Sequence, residues 1–179
     1  PVRWRRVGGA GQHAAVFTHV LFDLDGTIVD SGPGILASFR HAFVACGLAV
    51  PPDEVLVGLI GPPLATALAE LVADAVLAER LLAAYRDHYG RIGLYDATAY
   101  PGMAVLLEAL AVREVAVALT TSKPEAYAGR LLRHLGLAAP FRVIAGATFD
   151  GSRVHKHDVI AHALAQLPGA GPGTAVVVG

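Results

Sequence analysis

The spacing of apolar residues changes character several times along the chain. Val20-Leu21-Phe22 is a short unbroken apolar run, which predicts a buried strand, and it leads straight into Asp23-Leu24-Asp25-Gly26-Thr27. Beyond Ser31 and Pro33 the period lengthens. Ile35, Phe39, Phe43 and Val44 recur at helical spacing as far as Gly47, a candidate C-cap. Pro51-Pro52-Asp53 opens a short helix to about Val57, and the loop Gly58–Pro63 follows. Leu64, Leu68, Leu71 and Val72 share one face of a further helix, and Val76, Leu77, Leu81, Leu82 and Tyr85 mark another from Asp74 to about Tyr89. Residues 32–97 therefore read as helices without strands.

Strand character returns at Val115–Leu119, after a helix from Pro101-Gly102 to about Ala111. Pro124 falls in the first turn of a helix expected to reach Leu135, with Gly136 as its cap. Phe141–Ala145 predicts a short strand, Asp158–Leu167 a helix, Pro168–Gly173 a loop and Thr174–Val178 a last apolar strand. Strands alternating with helices imply parallel pairing through right-handed crossovers. The expected fold is α/β: a Rossmann-like parallel sheet from residues 16–31 and 98–179, with an all-helical cap inserted over 32–97. Residues 1–15 are expected to form a loose, mostly disordered arm. In such a sheet, ligands bind beyond the carboxyl ends of the strands.

Composition narrows the function classes. A hydrophobic fraction of 54% with 16% charged residues belongs to a globular chain. A net charge of -1 gives no footprint for a nucleic-acid polymer. Cys46 stands alone, which excludes a disulfide framework and a cysteine zinc site. No apolar run approaches the ~18 residues needed to span a bilayer. Arg3, Arg5 and Arg6 resemble a signal n-region, but Gln12 and His13 interrupt the apolar segment that should follow. A cytoplasmic protein is expected, of undetermined oligomeric state, and its start at Pro1 is expected to reflect processing or trimming.

The stretch after the first strand carries the chemistry. An extended backbone would point Asp23 and Asp25 the same way, and Gly26 permits a sharp turn immediately after them. Two carboxylates so close repel and raise each other's pKa, so the arrangement suits a cation between them. A strand ending in a solvated acidic turn is the plainer alternative. Asp23-Leu24-Asp25-Gly26-Thr27 resembles the first signature of the haloacid dehalogenase (HAD) superfamily, in particular its phosphatase branch. The resemblance implies that Asp23 is a nucleophile that becomes phosphorylated and Asp25 a general acid and base. The dehalogenases of the superfamily lack an acid at the second position, so Asp25 points to phosphoryl transfer. A carboxylate nucleophile divides hydrolysis into two easier displacements. A second acid protonates the leaving alkoxide and then deprotonates water.

Further matches follow from the same resemblance. Thr120-Thr121-Ser122-Lys123, expected to end one strand and open the Pro124 helix, corresponds to the second motif. It places Thr121 on the phosphoryl oxygens with Ser122 and the Gly26 turn close by. An ordinary N-cap would explain Ser122 equally well. The third motif is a lysine near the start of a later helix, matched by Lys156. Only Lys123 and Lys156 are lysines in a chain whose other cations are arginines, which sharpens that match; Lys123 is read as an auxiliary to phosphate binding. His155, His157 and His162 suggest zinc at first sight, but no cysteine accompanies them and His162 belongs to the next helix. Asp150 reads as a turn residue rather than an outer metal ligand.

The fourth motif places one or two acids after a strand like Val176-Val177-Val178-Gly179, and here the sequence stops at Gly179. The resemblance thus covers residues 16–179 with three of four motifs, and truncation of a longer protein is expected. The resemblance implies Mg²⁺ held by Asp23 and the backbone carbonyl of Asp25. The inserted helices, the Ile60-Gly61-Pro62-Pro63-Leu64 loop and the run from Asp150 to Ile160 resemble phosphoglycolate phosphatases and 5′-nucleotidase-like enzymes. The implied activity is Mg²⁺-dependent hydrolysis of a small phosphorylated metabolite through an aspartyl-phosphate, with no nucleic-acid polymer and no membrane as partner. A phosphomutase shares every motif, and a non-catalytic phosphate-binding homologue follows if the chain truly ends at Gly179. Arg40 and Arg86 are candidate cap residues for substrate selection.

Overall fold

The computed structural model describes residues 17–61 and 63–179. The expected arm over residues 1–15 and Pro62 of the Gly58–Pro63 loop lie outside the described residues. In chain order the elements are β1 (His19–Phe22), β2 (Val29–Asp30), α1 (Gly32–Ala45), α2 (Asp53–Gly58), α3 (Leu64–Val72) and α4 (Ala75–Arg91). A 3₁₀ turn (Gly93–Tyr95) precedes β3 (Thr98–Ala99), α5 (Met103–Val112), β4 (Ala116–Pro124), α6 (Glu125–His134), β5 (Phe141–Ala147), α7 (Lys156–Ala165) and β6 (Ala175–Val178).

The chain forms two compact units, one ending at Ile28 and resuming at Pro101, the other running from Val29 to Tyr100. The first is built on a parallel sheet ordered β5-β4-β1-β6. Successive strands β1, β4 and β5 step in one direction, and the chain then returns across them to place β6 on the free side of β1. With right-handed crossovers that reversal sends α7 to the opposite face from the earlier helices. The α7 face of the sheet carries Leu21, Ala116, Ala118, Val143, Ala145 and Ala175, which pack against Val159, Ala163 and Leu167. Their two-residue spacing on β4 and β5 is what a strand covered by a helix requires. The order reverses at β1, and in sheets of this kind ligands bind beyond the carboxyl ends of the strands at such a reversal.

In the second unit, β2 pairs antiparallel with β3. This two-residue ladder draws Val29–Asp30 and Thr98–Ala99 into that unit, so it starts before and ends after the purely helical stretch. Buried Ile35, Phe39, Ala42 and Phe43 of α1 face buried Ala78, Leu81, Tyr85 and Tyr89 of α4, with the Phe39 and Tyr85 ring centroids 4.6 Å apart. Gly34 and Gly93 let α1 and the 3₁₀ turn meet backbone to backbone: a Cβ on Gly34 would lie 1.9 Å from the Gly93 carbonyl oxygen. Ser31, at the N-cap position of α1, makes no side-chain capping bond, whereas Asp74 caps α4 by accepting from the Leu77 N–H at 3.0 Å. No helix among the described residues is long and apolar enough to cross a membrane.

Candidate active site

Asp23 follows the buried strand β1 and is still held by the sheet, its N–H donating to the Val178 carbonyl at 2.8 Å. The Leu24 N–H donates to Asp23 Oδ1 at 2.8 Å, and the Leu24 side chain is buried, which fixes the backbone between the two acids. Gly26 takes φ +77°, so the chain reverses there, and Ile28 N–H closes the turn on the Leu24 carbonyl at 2.9 Å. The half-buried Asp23 and Asp25 are thereby left at the carboxyl end of β1, where the strand order reverses. On the β6 side, a Cβ on Gly179 would stand 2.7 Å from that of Asp23, so glycine keeps this flank open.

Each acid faces a lysine. Lys156 Nζ lies 2.8 Å from Asp23 Oδ2, and Lys123 Nζ lies 3.2 Å from Asp25 Oδ1. Lys156 opens α7, which starts two residues before the expected Asp158. The Lys123 side chain is only 5% exposed. Burial pushes its ammonium below the usual lysine value, against the opposing pull of Asp25, then Tyr127 and Asp23.

The second motif differs from its expected local structure. Thr120–Lys123 do not sit at a helix N-terminus: β4 continues through them to Pro124, and α6 begins only at Glu125. The reason lies in pairing, since Pro124 still aligns with Ala147 of β5 after a register shift beyond Thr120. A proline is tolerated at a strand end, where its missing N–H costs no ladder bond. The donors presented here are therefore side chains on an extended segment rather than the unpaired amides of a helix. Thr120 donates its hydroxyl to the Phe22 carbonyl at 3.4 Å, tying β4 to β1 beside Asp23. Phe22 pairs with Leu119, so Asp23 and Thr121 leave neighbouring parallel strands almost level with each other. Buried Thr121 accepts from the Lys123 N–H at 3.1 Å, which leaves its own proton to donate. Ser122, between them, is exposed.

A strap missed by sequence reasoning supports this wall. Arg153 donates through Nε to the Gly146 carbonyl at 2.8 Å and pairs through Nη2 with Glu125 Oε2 at 2.5 Å. The Gly146 N–H donates to the same carboxylate oxygen at 3.3 Å. Thr148 and Arg153 bridge the loop, with Thr148 N–H donating to the Arg153 carbonyl at 2.8 Å. This ties the segment before Lys156 to the end of β5 and the start of α6. Gly146 has no room for a side chain, because a Cβ would meet the Lys123 carbonyl oxygen at 2.5 Å. The sequence held no cue to the strap, since its partners lie far apart in the chain and an arginine in a polar loop is ordinary.

The remaining candidates fall outside the constellation. The Asp150 carboxyl accepts hydrogen bonds within its turn from Ser152 and is held down at about 2, chiefly by Thr148 and Ser152. His155 and His157 stack with centroids 5.4 Å apart, both exposed. No group of three or more His, Cys, Asp or Glu residues suited to a metal occurs among the described residues. In the second unit, Arg40 pairs with Asp53 at 2.7 Å on the surface.

Two observations define what the constellation can take up. The Lys156 ammonium is buried and makes no hydrogen bond of acceptable geometry, although Asp23 lies within ion-pair range. Its spare N–H groups suit a multivalent oxyanion such as a phosphoryl group. The acid donor set is hard oxygen, two carboxylates and the Asp25 carbonyl, which suits Mg²⁺, a cation that keeps waters and completes its shell from a substrate phosphate.

A family model for haloacid dehalogenase-like hydrolases matches residues 20–179, and the chain belongs to that family. Among curated proteins it is similar to the tyrosine-protein kinase PtkA of Mycobacterium tuberculosis, 42% identical over 163 residues, covering 91% of this chain and 55% of PtkA. It is also similar to a 5′-nucleotidase of Pseudomonas aeruginosa, 35% identical over 149 residues, covering 83% of this chain and 67% of that protein. Relatives named phosphoglycolate phosphatase match as well. Among solved structures, a haloacid dehalogenase-like family hydrolase from Streptococcus pneumoniae superposes with a TM-score of 0.80 at 30% identity, covering 92% of this chain and 76% of that one. The chain thus spans about half the length of PtkA.

Proposed function

We propose that this chain carries the active site of a cytoplasmic, Mg²⁺-dependent phosphatase acting on small phosphomonoesters, phosphoglycolate-like or nucleotide-like. The observation that carries the reading is the pairing of two adjacent acids with two lysines from different elements at one end of the sheet. Asp23 attacks phosphorus, the bond to the leaving oxygen breaks, and that oxygen takes a proton from Asp25. A water then attacks the aspartyl-phosphate, Asp25 takes its proton, and the bond from phosphorus to Asp23 breaks to release inorganic phosphate. Thr121 donates to the phosphoryl oxygens together with Ser122 and the backbone at Gly26, while Lys156 offsets the repulsion between phosphate and Asp23. Mg²⁺, held by Asp23 and the Asp25 carbonyl, would supply further charge neutralisation.

Inorganic phosphate release from p-nitrophenyl phosphate, with and without Mg²⁺, tests the reading. Release that requires the metal and disappears in Asp23→Asn supports it; equal rates for the two proteins end it. The similarity to PtkA favours a second reading, phosphoryl transfer onto protein tyrosine. Incubation with ATP and a tyrosine peptide separates the two, through phosphotyrosine rather than free phosphate. A phosphomutase would instead return an isomeric sugar phosphate, and a non-catalytic homologue would give none of these products.

A further inference from the structure

The hydrolytic steps give Lys123 no part, yet its main chain is fixed from several directions. It precedes Pro124, and a residue before proline is confined to extended backbone. Its N–H donates to Thr121 Oγ1 at 3.1 Å, and Pro124 aligns with Ala147 of β5. Its carbonyl oxygen lies so close to Gly146 that a Cβ there would stand 2.5 Å away. A long, flexible side chain is thereby launched from a rigid base, and it ends 3.2 Å from Asp25 Oδ1 with only 5% exposure. Lys156 keeps spare N–H groups for a phosphoryl oxygen, whereas the buried Lys123 ammonium is set against the Asp25 carboxylate. Asp25 itself stands on the Gly26 turn with its side chain 26% exposed. A short carboxyl there keeps one direction only as well as its partners hold it.

We propose that Lys123 is a positioning residue, whose ammonium holds the Asp25 carboxyl toward the leaving oxygen and does not bind the phosphoryl group. That role rests on the phosphatase reading, in which Asp25 is the general acid. As the bond from phosphorus to the leaving oxygen breaks, its electron pair stays on that oxygen, which takes the Asp25 proton. An alkoxide needs the proton as it departs, whereas p-nitrophenolate is stable enough to leave without it. A residue acting through Asp25 therefore matters for alkyl esters and hardly for p-nitrophenyl phosphate. A ligand of the phosphoryl group matters equally for both.

The test measures kcat/KM, which reads the steps up to departure of the leaving group, for glycerol 2-phosphate and p-nitrophenyl phosphate on the same samples. The ratio of the two is then independent of how much of a variant is folded. Lys123→Met is expected to lose about 10²-fold on the alkyl ester and less than about threefold on p-nitrophenyl phosphate. Lys123→Gln, whose amide still donates, is expected to lose about tenfold on the alkyl ester alone. In an Asp25→Asn background, Lys123→Met should leave the ratio unchanged. Equal losses on the two esters in either variant, or a ratio still altered in that background, overturn the proposal. Crystal structures of the unsubstituted chain and of Lys123→Met read the placement without turnover. An Asp25 carboxyl displaced by about 1 Å or more supports the role, and one left in place overturns it. Hydrolysis of neither ester by the unsubstituted chain would reject the phosphatase reading, and the paired structures would still decide whether Lys123 places Asp25.

Discussion

Lys156 Nζ stands 2.8 Å from Asp23 Oδ2 while making no hydrogen bond of good geometry, so the pair is joined by charge and has donor capacity to spare. A pair arranged for stability would saturate its ammonium. This one holds a cation beside a carboxylate in a position that an incoming phosphoryl group would share.

Replacing Lys156 with methionine should therefore reduce catalysis far more than stability. About 10²–10³-fold is expected in kcat/KM for p-nitrophenyl phosphate, the scale for losing one preorganised donor to developing charge. Half-exposed ion pairs contribute about 0–1 kcal/mol to folding, so the urea midpoint should hardly move. A large fall in the midpoint together with modest loss of activity would show that Lys156 serves structure.

Lys123→Met should behave differently, because Lys123 is buried and removing it leaves Asp25 without its facing cation. Breaking a fully buried pair costs about 3–5 kcal/mol, and Asp25 keeps some solvent contact, so about 1–3 kcal/mol is expected here. Urea unfolding of the two lysine variants side by side checks the contrast. Equal midpoints would contradict it.

Much of this architecture is legible in the sequence, for physical reasons that differ by element. β1 and β4 announce themselves as apolar runs because parallel strands inside a covered sheet are buried on both faces, whereas β6 reads as apolar although only Ala175 of it is buried. The Asp23–Thr27 turn is legible because its glycine and its acids are needed together in one short stretch. The extension of β4 to Pro124 was not, since hydroxyls followed by proline fit a helix start locally, and only pairing with Ala147 across the sheet decides otherwise. The same holds for β2 and β3, two residues each, whose ladder exists only once the inserted unit brings its ends together. Lys123–Asp25 and Arg153–Glu125 are long-range pairs that no local spacing encodes.

The Arg153 strap makes a distinct prediction. Arg153 serves the Gly146 carbonyl and the Glu125 carboxylate at once, which takes the planar fork of a guanidinium. Arg153→Lys should therefore behave like Arg153→Met, each lowering kcat through misplacement of Lys156. Misplacing one group by about 1 Å can cost on the order of 10²-fold. Combined with Lys156→Met, Arg153→Met should add little further loss. Full additivity in kcat would show that the strap acts elsewhere.

The last prediction concerns pH and the inserted unit. Buried Ser38 donates its hydroxyl to the Gly34 carbonyl at 2.7 Å, so His88 Nδ1, 3.0 Å from the same oxygen, must be the donor to it. His88 also stacks on His41 with centroids 4.3 Å apart. Its imidazole titrates below the usual histidine value of 6.5, first because of desolvation, then because of His41 and Arg91, with Asp87 opposing. The folded state thus binds this proton less tightly than the unfolded chain. The stability it contributes is complete above the unfolded value and is lost as pH falls through the folded one. The thermal midpoint should therefore fall further between about pH 7.5 and about pH 5.5 in the unsubstituted chain than in His88→Asn, whose amide keeps the donor without the charge. Parallel falls in the two proteins would place the acid sensitivity in other groups.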